Sequence, residues 1–224
     1  MKKIKVLTLG LCLGMIVAGC NNTQKGAVIG TGGGALLGAI VGKIAGNTAV
    51  GATVGAAVGA GTGAIIGNRM DKVKKQAEAV QNAQVQEVKD ANGLDAVKVT
   101  FDSGILFATN KADLNASAKT SLASFANVLN TNRDCDVAIY GHTDNTGNDG
   151  INQPLSVNRA QSVSNYLKSC GVSATQIKTV EGQGSSNPVA DNATAAGRAQ
   201  NRRVEVYMYA SKQMIEAAEK GTLQ

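Results

Sequence analysis

The sequence predicts a compact α+β or α/β sandwich with one core, ordered strand–helix–strand–helix–strand–strand, behind a signal segment and a glycine-rich helical hairpin. Three observations carry this reading. Val97, Val99 and Phe101 alternate with polar residues, the period of a half-buried strand. Ala118, Leu122, Phe125 and Leu129, and later Ala160, Val163 and Leu167, recur at the spacing of a helix that faces a core. Before all of these, eleven glycines between residues 26 and 67 hold a four-residue phase. The expected divisions are 1–19, 20–67, 68–93, 94–209 and 210–224.

The chain opens with a charged MKKIK and an apolar VLTLGLCLGMIVA, too short for a comfortable membrane span and ending in small residues, as an export signal does. Val17-Ala18-Gly19-Cys20 resembles a lipobox: small residues fit a protease groove, and the Cys20 thiol takes the diacylglycerol. The plainer alternative, a buried cysteine in an ordinary first helix, does not account for the order of charge, apolar run and small residues. Asn21 rather than Asp follows, which by enterobacterial sorting implies the outer membrane.

Lys2, Lys3 and Lys5 leave with the signal, which takes the formal charge from +6 to +3. Residues 94–209 hold ten basic and ten acidic side chains, and only 3% of the chain is aromatic, so neither a basic face nor a base-stacking platform exists for nucleic acid. With Cys12 in the signal and Cys20 at the lipidation site, Cys135 and Cys170 remain. A disulfide between them and two free thiols stand as equal alternatives in an exported protein.

The glycines form two series, Gly26 to Gly46 and Gly51 to Gly67, with Asn47-Thr48-Ala49-Val50 as a turn between them. Four-residue spacing puts each series on one helix face, where a glycine costs about 1 kcal/mol relative to alanine in water. Bare ridges make sense where two helices touch backbone to backbone within a bilayer. A Gly/Ala linker is the plainer reading, but a linker has no reason to keep phase. The expectation is a membrane-associated hairpin over 26–67 that resembles a glycine zipper, with a homo-oligomer left open.

Asn68–Asn82 reads as a short amphipathic helix with Met70, Val73, Ala77 and Val80 on one face. Alternating segments on both sides of Asn92-Gly93 mark a hairpin. Residues 115–131 form a helix, VAIYGH a strand, 154–169 a helix with Pro154 as its first residue, and IKTVEGQG a strand. TAAGRAQNR is a short helix capped by Thr194, RRVEVYMY the last strand, and 210–224 a helical tail.

The strings GHTDNTGNDGINQPLSVNRAQSV (Gly141–Val163) and GQGSSNPVADNATAAGRAQNRRVEV (Gly182–Val206) resemble the OmpA-like peptidoglycan-binding domain over Val97–Tyr209. With the signal, lipobox and glycines, the whole is similar to YiaD-type and peptidoglycan-associated lipoproteins. The resemblance implies a βαβαββ sandwich, no cofactor, and peptidoglycan as partner, held non-covalently through the meso-diaminopimelate of its stem peptide. That side chain ends in an ammonium and a carboxylate on one carbon. Asp144 then takes the ammonium, and Arg159 grips the carboxylate with its planar fork. Asn152, Thr143, Arg202 and Asn110 match further pocket positions. Ala108 departs from relatives that carry an acid there. Without the resemblance, Asp144 reads as a turn residue and Arg159 as a solvated helix charge.

The one histidine, His142, has no ligand cluster around it and reads as packing at a strand end. No paired acids, metal site or nucleophilic triad suggests catalysis. The sequence therefore leads to an outer-membrane lipoprotein, lipid-anchored with its C-terminal domain in the periplasm, that tethers membrane to wall and is not an enzyme. The alternative is a membrane-active or assembly factor whose hairpin oligomerises while wall binding only localises it.

Overall fold

The computed structural model describes residues 60–90, 92–108 and 110–223. Cys20 and the glycine series up to Gly59 lie outside the described residues. Among the described residues no helix is long and apolar enough to cross a membrane.

Helix α1 (Ala60–Glu78) leads into strands β1 (Gln84–Lys89) and β2 (Asp95–Asp102). A short α2 (Ser103–Leu106), then α3 (Ala116–Thr131), β3 (Cys135–Gly141) and α4 (Asp149–Ser169) follow. The chain ends with β4 (Ile177–Gly182), α5 (Ala195–Asn201), β5 (Arg203–Ala210) and α6 (Lys212–Glu219). The five strands lie in the order β1-β2-β5-β3-β4, antiparallel except for β3 and β4, which run parallel across α4.

The β1–β2 hairpin turns at Asn92-Gly93 as expected. Gly93 takes a φ of +75°, and Asp90 Oδ1 accepts the Asn92 and Leu94 N–H groups at 2.8 and 2.9 Å. Val97, Val99 and Phe101 of β2 and Val204, Val206 and Met208 of β5 point to one sheet face. There they meet Ala118, Leu122, Phe125 and Leu129 of α3 and Ala160, Val163 and Leu167 of α4. The side chains read as apolar faces in the sequence are the side chains that are buried.

Two helices start earlier than the sequence suggests. Helix α4 begins at Asp149 rather than Pro154, because Asn148 accepts the Ile151 N–H at 3.2 Å and caps a turn upstream. Pro154 therefore sits inside the helix, and the Gly150 carbonyl loses its usual donor four residues on. Helix α1 begins by Ala60 and runs through residue 67, where the hairpin was expected to end. A Cβ at Gly67 would lie 2.8 Å from Asp95 Oδ2, so this last glycine of the series lies close against the start of β2.

Ile66, Met70, Val73, Ala77 and Val80 of α1 and its exit turn are buried in the same core as β2 and β5. The tail is not loose either: Met214, Ile215 and Ala218 of α6 enter that core, and Ser211 caps the helix by accepting the Met214 N–H. Arg69 ties α1 to the α3–β3 turn through two 3.0 Å contacts with Asp134.

Cys135 and Cys170 stand as unbonded thiols in this structure. Cys135 lies wholly inside the core at the start of β3, whereas Cys170 caps α4 and is half-buried, its N–H turned back to the last carbonyls of the helix.

Candidate ligand-binding site

At one end of the sheet, four short segments surround a cavity of about 500 Å³. The loop after β3 contributes Thr143, Asp144, Thr146 and Gly147. The first turns of α4 contribute Ile151, Asn152, Leu155 and Arg159. Helix α2 and the loop beyond it bring Phe107, Ala108 and Asn110, and α5 with its C-cap brings Arg198 and Arg202. All six pocket residues expected from the sequence, Thr143, Asp144, Asn152, Arg159, Arg202 and Asn110, line this one space.

The cavity exists because α4 lies unusually close to the sheet. A Cβ on Gly141 would fall 2.1 Å from the Ser156 carbonyl oxygen, and one on Gly182 would fall 2.3 Å from both Ser156 Oγ and Val157 N. Two glycines at the ends of β3 and β4 thus let the helix carrying Asn152 and Arg159 come down onto the loop carrying Asp144. Asn152 fixes that loop by donating Nδ2 to the Thr146 carbonyl at 3.1 Å. Thr143 continues the sheet end through its N–H to Gly184 O at 2.9 Å, while its buried Oγ1 has no partner.

Asp144 is doubly held. Its Oδ1 accepts the Thr146 N–H at 2.9 Å, the turn contact that the plain reading expects, and its Oδ2 pairs with Arg202 Nη1 at 2.5 Å. Burial works against its charge, but the Arg202 and Thr146 contacts outweigh burial and hold the carboxyl below its ordinary range. Arg202 is therefore not only a pocket wall; it is the cation already in contact with the acid.

Arg159 is the opposite case. The residue is 3% exposed, its Nε donates to Lys111 O at 3.2 Å, and its guanidinium sits 5.3 Å from the centre of the Phe107 ring. Its Nη1 is buried and has no partner among the described residues. Burial first and the Arg202 charge second depress its pKa, with Asp144 opposing. A guanidinium does not lose its proton in water, so the depressed value marks a cation short of anionic company.

Arg198 was not expected from the sequence. It is pinned by its Nη1 to the Asn192 and Ala193 carbonyls at 2.8 and 3.1 Å, so the cavity wall holds three arginines against Asp144. Ala108 leaves its side of the wall uncharged, and Asn110 holds a left-handed φ of +54° at the rim. Phe107 and Arg198 also line the wall, although no sequence motif singled either of them out. The charge balance of this wall offers an anion partner at Arg159 and a cation partner at Asp144.

Two family models match, the OmpA family over residues 106–202 and the YMGG-like Gly-zipper over residues 1–71. The chain carries an OmpA family domain. It is 45% identical over 111 residues to the peptidoglycan-binding protein ArfA of Mycobacterium tuberculosis, covering 50% of this chain and 34% of that one. It is 35% identical over 133 residues to the probable lipoprotein YiaD of Escherichia coli, covering 57% and 60%. Among solved structures, the cell wall anchor of the T6SS from Pseudomonas aeruginosa superposes with a TM-score of 0.53 and 30% identity, over 64% of this chain and 98% of that one. The chain thus spans about a third of ArfA and six-tenths of YiaD, and the α+β architecture is that of the OmpA-like structures.

Proposed function

We propose that this protein is an outer-membrane lipoprotein that holds peptidoglycan non-covalently and tethers the membrane to the wall, without catalysing a reaction. The observation that carries the proposal is Arg159: a buried guanidinium whose Nη1 has no partner among the described residues, facing a cavity in which Asp144 is the one acid among the described residues. A diaminopimelate end fits that pair, its carboxylate on Arg159 and its ammonium on Asp144, which Arg202 then shares. The similarity to ArfA, a peptidoglycan-binding protein, and to YiaD, a probable lipoprotein, supports the same reading. Cys20 supplies the lipid anchor and leaves the OmpA family domain in the periplasm.

The direct test is co-sedimentation of the mature protein with purified sacculi. Free diaminopimelate should release it, and lysine, which lacks the second carboxylate, should release it poorly. Retention on sacculi despite saturating diaminopimelate would show that another surface holds the wall.

The Gly-zipper match over 1–71 supports a second role, in which the glycine segment associates with further copies in the bilayer and wall binding places it there. Cross-linking in whole cells separates the two: a simple tether gives one chain, and an assembly gives a ladder that glycine-to-leucine changes at Gly38 and Gly42 remove.

A further inference from the structure

A second, smaller cavity of about 280 Å³ opens on the sheet face turned away from the helices, where the β1, β2 and β5 strands end beside α5. Its floor holds four charges. Two of them satisfy each other: Arg203 Nε donates to Glu205 Oε1 at 2.7 Å, and Tyr207 OH donates to Glu205 Oε2 at 2.7 Å. The other guanidinium nitrogens of Arg203 donate to the Asn201 and Asn187 carbonyls.

Lys98 and Asp102 are left over. Lys98 is 8% exposed, and its ammonium stops 3.8 Å from Glu205 Oε1, so among the described residues it makes no hydrogen bond. Asp102 stands at the N-cap of α2, yet its carboxylate makes no capping hydrogen bond. Burial lowers the pKa of the first against the pull of Glu205, and raises that of the second against the pull of Arg203.

The charges of Lys98, Arg203, Asp102 and Glu205 cancel, so the cavity has no net pull on an ion. What it lacks is one acceptor for a buried ammonium and one donor for a carboxylate. A secondary amide offers both, a carbonyl oxygen and an N–H. Gln84, Gln86 and Gln200 at the mouth add amide groups suited to hydroxyls or further amides. The volume lies just below the usual range for small-molecule clefts, so it suits one sugar or one amino-acid residue. We propose that this cavity is a second binding site, for a secondary amide group such as a peptide bond or an N-acetylated sugar presents. The proposal stands independently of the Arg159 cavity.

Saturation-transfer NMR on the full chain in detergent micelles tests it, with N-acetylglucosamine and N-acetylalanine methylamide as probes and glucose and acetate as controls. At least one amide probe should show transfer to its acetyl methyl group, and the one that does identifies the source of the amide. Lys98→Met keeps the apolar stem and should weaken that probe roughly tenfold or more, as loss of a charge-assisted hydrogen bond does. Arg159→Lys, in the other cavity, should leave it unchanged. Gln86→Ala, at the exposed mouth, repeats the test should Lys98→Met fail to fold. Absence of transfer to both amide probes, acetate binding as well as they do, or equal binding after Lys98→Met and Gln86→Ala would overturn the assignment.

Discussion

Arg202 Nη1 lies 2.5 Å from Asp144 Oδ2, so the acid proposed to take a ligand's ammonium already has a cation. The pair has a pH signature. The Asp144 pKa is lower in the folded chain than in the unfolded one, so its contribution to stability is full above the ordinary carboxylate value of 3.8 and is lost as pH falls through the lower folded value. Arg202→Gln should therefore melt below wild type at pH 6, and the gap should close as the pH drops below 3.8. A gap that persists unchanged in acid would show that Arg202 stabilises by packing instead. With Arg202 more than a third exposed, the gap should be small.

Arg159→Lys keeps a charge and removes the fork, and Asp144→Asn keeps the shape and removes the charge. Breaking either contact should cost about 2–5 kcal/mol of binding, roughly thirtyfold to several thousandfold in affinity for sacculi. Asp144→Asn should leave most of the thermal stability in place. Arg159→Lys also loses the Phe107 contact, so its unfolding is measured beside its binding. Wild-type pelleting by both variants would count against the cavity.

Gly141→Ala should act on the site without touching it. The new methyl would collide with the Ser156 carbonyl, and backbone cannot rotate aside as a side-chain end can. Overpacking of this kind costs about 1–3 kcal/mol, read by denaturant unfolding. The shift of α4 should weaken sacculus binding as well, whereas Gly61→Ala, with open space around it and away from the cavity, should change neither.

The thiols give a kinetic test. Burial pushes Cys135 up to about 12, so in the folded protein it should resist alkylation at neutral pH, while half-buried Cys170 reacts first. Unfolding without reductant should expose both. One reactive group fewer in denaturant would indicate a disulfide after all.

Cys20→Ala should abolish fatty-acid labelling and leave the precursor uncleaved. Normal labelling of that variant would end the lipoprotein assignment.

Where the sequence could be read, periodicity and composition were enough. Val97, Val99 and Phe101 declare a strand because one sheet face is dry, and Asn92-Gly93 declares its turn through a backbone angle that glycine takes freely. The six cavity residues were legible through long ordered motifs, not through their chemistry. Arg198 and Phe107 were not legible, because nothing local separates a wall residue from an ordinary helix charge or core ring. The start of α4 was misplaced because Pro154 looks like a first helical residue, while the cap that decides the matter, Asn148, is one asparagine among several. The Asp144–Arg202 contact joins residues 58 apart and has no local signal at all.

Because α1 is sewn into the core by Ile66, Met70, Val73 and Ala77 and clamped at Arg69, a pull on the chain ahead of residue 66 would reach the sheet directly. In the proposed tether, the reach is bounded by the stretch from Cys20 to Ala60, at most roughly 130–145 Å when drawn straight. Tension beyond that length would fall on helix–sheet contacts, so lengthening this stretch should relax the mechanical coupling between membrane and wall without changing a single contact in the binding cavity.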